Sequence, residues 1–493
     1  MNSRNDIKDF ILQVESKFSV NDWQVDGVHI WPYLRIRLFF FLIRQVEQIN
    51  NQTDQSNFHH QSDQLSKLSP FHFLKYLLKQ IYGRLFLSNF FSRLPQKKII
   101  FLGSDAHRVP FKNKRYNRYF DVLIDKYNIH QDAIYFEYDS KALGNQYNQD
   151  LVYKFQKALQ YFLKYRRDEK IEVKLDRYAD FLTYLEESGV GSSFIKSNSN
   201  QHIDLWARGF IKKIQFFKTI INSIDPEKLV ILCYYSDNVM AFTAAANQEG
   251  VKTIEMQHGP QTAIHMAYSN WTKIPALGYD MLPRHYWCWD FYSKEIISTW
   301  AKPPLYSVQI SGNPWVNYWK ENVHEYSHKN FVLYALQPNQ VCTIQQLFPP
   351  SIVNFIKNQP YQWFLRLHPR QIPERESLVN YLKQNGISEL VNIDEATNDP
   401  LPLLLLNAAL HVTHCSGSTI EAAFFDTHTV LINKIGIDSF PELIAQGQAS
   451  FHDPENENFE LLLLEHIKKA NSNYKSDSKK LAPEKQDFDL FKL

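Results

Sequence analysis

The chain has 493 residues, with 54 lysines and arginines against 52 aspartates and glutamates, a formal net charge of +2, and 44% apolar residues that include 35 Phe, 27 Tyr and 10 Trp. That balance offers no global field for nucleic acid, and that apolar content excludes disorder as the general state. The length exceeds what one hydrophobic core organises and suggests roughly three compact units.

Four cysteines, Cys233, Cys288, Cys342 and Cys415, stand far apart without CxxC or CxxH spacing. Three lie in or beside apolar runs, which points to a reduced, cytoplasmic protein. The N-terminus, MNSRNDIKDFILQVESKF, mixes acids with apolar residues and does not read as a signal peptide. LFFFLI, the longest apolar run near it, is far shorter than a membrane span.

Helical spacing in DIKDFILQVESKF and GVHIWPYLRIRLFFFLIRQVEQI predicts a helical region over residues 1–50. A polar linker follows at 51–69, where His59 and His60 read as a solvated pair. Segment 70–95, PFHFLKYLLKQIYGRLFLSNFFSRLP, carries Lys75, Lys79, Arg84 and Arg93 and no acid. Two readings of it stand: a basic aromatic helix on the headgroups of an anionic membrane, or a helix packed on a neighbouring domain with its cations at the rim.

From residue 96 the pattern changes to short apolar runs that end in polar turns: KKIIFLGSD and AIYFEYD, then, after a helical, charged insertion at 142–225, KLVILCYYSD, KTIEMQHG and HYWCWD. Such runs, separated by helix-length spacers, predict a parallel sheet with crossover helices. A second series begins at YSVQISG and continues through NFVLYAL, QWFLRLHPR, LVNIDE, ALHVTHCSGS and HTVLINK. The predicted fold class is α/β: two tandem Rossmann-like domains at 96–300 and 301–470, an N-terminal helical extension, and a polar tail at 471–493.

In parallel α/β sheets, function collects at the carboxyl ends of strands. Four polar clusters fall there: GSDAHR (103–108), QHGPQ (257–261), LHPR (367–370) and THCSGST (413–419). His414 and Cys415 are neighbours on a strand and point to opposite faces, which disfavours a thiolate–imidazole pair between them. The flanks of Ser416 do not form the G-x-S-x-G nucleophile elbow. His411 and His414, three apart on a strand and without a flanking carboxylate, do not read as a metal site.

The turn Ser416, Gly417, Ser418, Thr419, opening a helix that contains Glu421, fits an anion cradle: a close-approaching backbone, unpaired N–H groups and three hydroxyls. The same residues fit a capping box between Ser418 and Glu421, and Glu421 alternatively accepts ribose hydroxyls. His368 and Arg370, with Pro369 holding the turn extended, arrive at a neighbouring strand end to meet the same anion.

A strand ending in His368-Pro369, followed by a strand ending in S-G-S-T-x-x-E-A, resembles the donor half of bacterial glycosyltransferases of the two-domain GT-B fold. The resemblance is closest to the capsule polysaccharide group that includes Kdo transferases and polysialyltransferases. It implies that His368, Pro369, Ser416, Ser418 and Thr419 hold the phosphate of a CMP-sugar. EMQHG at 255–259 is similar to a first-domain strand end of such proteins. The acidic D/E-D/E-G motif, which supplies the base in the sialyl and polysialyl enzymes, does not occur as such. Asp105 is the nearest acid at a comparable strand end and the first candidate for the base; it also reads as a cap. His258 is the second candidate. A DxD sequence occurs as DFD at 487–489, in the tail.

These readings predict a metal-independent glycosyltransferase without a cofactor, cytoplasmic and in peripheral contact with the inner membrane. It would move a sugar from a nucleotide-sugar donor to a surface polysaccharide or glycolipid acceptor, with no nucleic-acid partner. Two alternatives stand: a non-hydrolysing UDP-sugar 2-epimerase, whose S-G-G-x-x-E-E turn departs here at Ser418 and Ala422, and a non-catalytic assembly subunit of the same fold.

Overall fold

Residues 1, 3–46, 70–138, 144–166, 170–322, 325–338 and 342–474 are described by the structure, a computed structural model. The predicted linker with His59 and His60, and the DFD of the tail, lie outside the described residues.

The predicted N-terminal helices form over Arg4–Lys17 and Trp31–Val46. Ser3 begins the first with a capping box: its hydroxyl accepts the Asp6 N–H at 3.1 Å, and Asp6 accepts the Ser3 N–H at 3.2 Å. Ile7, Phe10, Ile11 and Val14, spaced along one face, are buried. Glu15 and Arg35 are also fully buried and pair at 2.7 Å. Their remaining valences reach far along the chain: Arg35 Nη2 donates to the carbonyls of Ser269 (3.0 Å) and Asn270 (2.9 Å), and Glu15 accepts the Thr272 N–H (3.2 Å). The Trp271 ring lies 4.1 Å from the guanidinium. This buried pair fixes the helices to the 269–272 loop, and loss of one partner costs roughly 3–5 kcal/mol.

The first sheet contains β1 (Ile99–Gly103), β2 (Ala133–Glu137), β3 (Val152–Tyr153), β4 (Lys228–Ile231), β5 (Lys252–Met256), β6 (His285–Cys288) and β7 (Ser307–Ile310), all parallel, in the order β7-β6-β5-β4-β1-β2-β3. The second contains β8 (Phe331–Ala335), β9 (Trp363–Arg366), β10 (Val391–Asn392), β11 (Ala408–Thr413), β12 (Thr429–Leu431) and β13 (Ala449–Phe451), also parallel, in the order β10-β9-β8-β11-β12-β13. Counted within each unit, the orders run 3-2-1-4-5-6-7 and 3-2-1-4-5-6, the doubly wound Rossmann arrangement with one added edge strand in the first. The strands β1, β2 and β8 are buried along their whole length, which is why they read as unbroken apolar runs.

One expectation is corrected. Ser307–Ile310, the start of the predicted second series, pairs with β6 and closes the first sheet. Its pattern is that of any buried strand, and pairing across the molecule decides its sheet. The insertion between β3 and β4 is mostly helical, with Gln156–Tyr165, Tyr178–Glu187, Ser192–Ser197 and Asn200–Ile224. One apolar cluster that includes Phe101, Tyr119, Trp289, Trp315, Phe331 and Ile420 runs from one unit into the other. No helix among the described residues is long and apolar enough to cross a membrane.

Candidate active site

In each sheet the strand order reverses between the first and fourth strands, and ligands bind doubly wound sheets outside the carboxyl ends at that point. On the first unit β1 ends in Gly103, and Ser104 caps the turn that follows: its hydroxyl accepts the Ala106 N–H (3.0 Å), and its N–H donates to His107 Nδ1 (3.2 Å). Asp105 does not cap this turn. It forms an ion pair with Arg115, on an antiparallel hairpin of Arg108–Phe111 and Lys114–Asn117.

Buried charge anchors that hairpin. Arg108 donates to Glu137 (2.6 Å) and Asp121 (3.4 Å), and Asp121 also accepts the Asn117 N–H and the Tyr135 hydroxyl, both at 2.6 Å. Burial pushes the Asp121 carboxyl up to about 6, against the opposing pull of its hydrogen bonds and Arg108. The chain leaving the hairpin then carries Arg118 and Tyr119 against His258, which follows β5. Arg118 acts electrostatically on His107, His258, Arg366 and His368 and lies beside the Glu421 carboxylate. Its Nε is buried without a hydrogen-bond partner.

The fourth strand of the first unit ends at Ile231, and Cys233 just beyond it takes a left-handed backbone (φ 57°). Two residues on, the Tyr235 hydroxyl lies 3.4 Å from His258 Nε2, while the Tyr119 hydroxyl donates to the His258 carbonyl (3.0 Å). Burial, with Arg118 nearby, holds His258 down to about 4, so its imidazole is neutral near pH 7. Its Nδ1 is buried without a partner, as are Gln261 Oε1 and Trp289 Nε1.

On the second unit His368 and Pro369 begin a short 3-10 helix. His368 Nδ1 accepts the Arg370 N–H at 3.1 Å, which fixes the tautomer with the proton on Nε2. Burial first, then Arg370 and Arg118, lower His368 to about 4. It is therefore a neutral donor rather than an imidazolium. The Arg370 side chain is exposed.

The three hydroxyls of the SGST turn do not act together. Ser418 Oγ is 3.0 Å from His411 Nε2, and Thr419 Oγ1 donates to the Ser416 carbonyl at 2.9 Å; both residues are buried. Ser416 differs: its oxygen accepts the Ser418 N–H at 3.3 Å, leaving its hydroxyl proton uncommitted by that bond. The capping box expected between Ser418 and Glu421 does not form, because the helix Ser418–Phe424 starts one residue earlier than that motif needs, with Gly417 at its cap. Glu421 instead lies buried beside Arg118, Arg366 and the Asn313 amide, and burial raises its carboxyl against their pull. Gly417 has an ordinary helical φ, and a side chain there would bring Cβ to 3.1 Å from the Pro260 ring. Two predicted clusters, QHGPQ and SGST, thus meet at this point.

Sequence reasoning missed Arg118, Trp289 and Cys342. The Cys342 thiol is 3.5 Å from His414 Nδ1, but burial pushes the thiol up to about 12 and the imidazole down to about 4, giving a neutral pair. Among the described residues no group of three His, Cys, Asp or Glu side chains is arranged to hold a metal ion.

No protein-family model matches the chain, and no curated protein does. Solved structures similar to it include the UDP-GlcNAc 2-epimerase of Methanocaldococcus jannaschii in complex with UDP-GlcNAc and UDP, at 13% identity over 76% of this chain and 92% of that one, with a TM-score of 0.40. The glycosyltransferase SnogD from Streptomyces nogalater is 12% identical over 77% of this chain and 96% of that one, TM-score 0.42. The wall teichoic acid polymerase TagF is 11% identical over 83% and 93%, TM-score 0.38.

Proposed function

We propose that the protein is a glycosyltransferase that moves a sugar from a nucleotide-sugar donor on the second unit to a glycan or glycolipid acceptor on the first. The observation that carries this reading is a set of buried polar atoms without partners that follow the hairpin and the strands of the first sheet: Arg118 Nε, His258 Nδ1, Gln261 Oε1, Trp289 Nε1 and Ser311 Oγ. Each such atom costs about 1–3 kcal/mol when left unsatisfied. A ligand dense in phosphate and hydroxyl oxygens offsets that cost. The preference for a CMP-sugar and for a surface polysaccharide acceptor comes from the motif resemblance.

In this reading Arg118, the Nε2–H of His368 and the Ser416 hydroxyl donate to the phosphate as its bond to the sugar breaks, meeting negative charge where it develops. Pro369 and Gly417 shape the approach, and Glu421 holds Arg118. His258 accepts the proton of the attacking hydroxyl at Nδ1. A bound phosphate raises its basicity from the low value set by burial and Arg118. Asp105 is the weaker candidate for the base, since its charge is committed to Arg115.

Calorimetry with CMP, UDP, GDP and CDP, on the wild-type chain and on Arg118→Ala, tests the reading. Binding of at least one nucleotide that Arg118→Ala weakens at least tenfold is the expected result. Failure of all four to bind, or binding indifferent to Arg118, overturns it. Interconversion of UDP-GlcNAc with its C2 epimer, without transfer, supports the epimerase instead.

A further inference from the structure

The helix Pro70–Ser92 has two unlike faces. Its inner face packs on the first unit: Phe86 lies 5.1 Å from the Tyr161 ring, and Phe91 5.6 Å from Phe216. Gly83 lets Tyr165 approach so closely that an added Cβ would stand 2.4 Å from its ring. The outer face bears Leu78, Ile81, Tyr82 and Leu85, exposed at 58%, 55%, 55% and 64%. Their spacing, i, i+3, i+4 and i+7, forms one continuous apolar stripe. Other large exposed apolar side chains, such as Leu277, Phe291 and Leu461, stand singly in sequence.

Charge beside this stripe has one sign. Residues 70–95 contain no acid, and neither do residues 151–166, which include the helix Gln156–Tyr165 packed against it. Arg84, Lys157 and Lys164 are exposed there, and among the described residues no ion pair engages them. Lys157 Nζ lies 5.0 Å from the centre of the Phe86 ring, on the helix that carries the stripe.

We propose that this face docks on an anionic lipid bilayer, with Leu78, Ile81, Tyr82 and Leu85 entering the headgroup region and Arg84, Lys157 and Lys164 meeting lipid phosphates. A soluble protein partner would need complementary acids at fixed positions. A fluid anionic surface matches a diffuse cationic rim around an apolar stripe without that requirement. The inference is independent of the reaction in the cleft.

Co-sedimentation of the full chain with vesicles of phosphatidylcholine alone, or mixed with phosphatidylglycerol, tests it. The expected result is partition to the mixed vesicles that falls as salt is raised. Each cation near the surface contributes about fivefold, so Lys157→Glu with Lys164→Glu should lower partition by at least about 25-fold. Leu78→Glu with Leu85→Glu changes exposed positions and should abolish partition while the thermal transition stays in place. Three outcomes overturn the proposal: no sedimentation with anionic vesicles at low salt, equal partition to both vesicle types, or wild-type partition in both variants. Concentration-dependent self-association that Leu78→Glu and Leu85→Glu remove, without vesicle binding, overturns it in favour of a second copy of the chain.

Discussion

The two Rossmann-like units share a strand order but not a chemistry at their carboxyl ends. The second unit satisfies itself: Ser418 is bonded to His411, Thr419 to the Ser416 carbonyl, and His414 lies against Cys342 and Tyr334. Loops of the first unit leave buried donors and acceptors unsatisfied at His258, Gln261 and Trp289. A polar turn at a strand end is thus no guarantee of a ligand site, because its hydroxyls serve whichever buried group lies nearest.

Arg118→Ala breaks this asymmetry most severely. It removes the positive charge that the cleft histidines and Glu421 share, and should lower turnover of a nucleotide-sugar by about 10²–10³. Arg118→Lys, which keeps the charge but loses the fork, should recover part of that. Steady-state kinetics at matched folded fraction, checked by circular dichroism, reads the difference.

His368→Ala should cost about 10² in turnover, because one neutral donor is lost rather than an acid. The pH profile sharpens the point. His368 and His258 are both held near 4 in the free protein, so kcat/KM should stay flat from pH 6 to 8 and fall as pH drops toward 4. A rate that instead rises on acidification through pH 6 would mean that an imidazolium does the work.

Ser416→Ala and Ser418→Ala should separate. Ser418→Ala leaves buried His411 without one partner and should cost about 1–3 kcal/mol of stability, with nucleotide affinity nearly unchanged in the folded protein. Ser416→Ala should weaken nucleotide binding by about 1 kcal/mol and leave the melting temperature in place. Calorimetry and thermal unfolding on the same preparations distinguish the two.

The smallest effect concerns Glu255, buried on β5 with its Oε1 accepting from the Tyr268 hydroxyl at 2.7 Å. Burial pushes its carboxyl up to about 8 from an ordinary 4.5. Between those values the folded chain holds a proton that the unfolded chain has lost, so stability falls as pH rises through that window. Glu255→Gln should remove the decline and raise the melting temperature at pH 9 by a few degrees, with little change at pH 5.

The sequence made the strand ends legible. Runs such as IIFLG and FVLYA are apolar because both sheet faces are covered, and they stop where polar turns begin. Arg118 was not legible, because a hairpin of two short strands, RVPF and KRYN, sets its position through Arg108 contacts 13 and 29 residues away. Nor was the inward turn of Ser418, which depends on where buried His411 finds its partner. Spacing gives the face of a strand; it does not say which neighbour needs a hydrogen bond.

The Glu15–Arg35 pair has a consequence for how the chain is made. Its two halves leave the ribosome early, but the carbonyls and hydroxyl that complete it belong to Ser269, Asn270 and Thr272. At roughly 5–20 residues per second, translation needs on the order of ten to fifty seconds to cover that gap. For that interval the N-terminal helices carry their ion pair without the loop that buries it, exposed to proteases and chaperones. A lesion at Glu15 or Arg35 should therefore show first as lost yield during synthesis, before any effect on the finished protein's turnover.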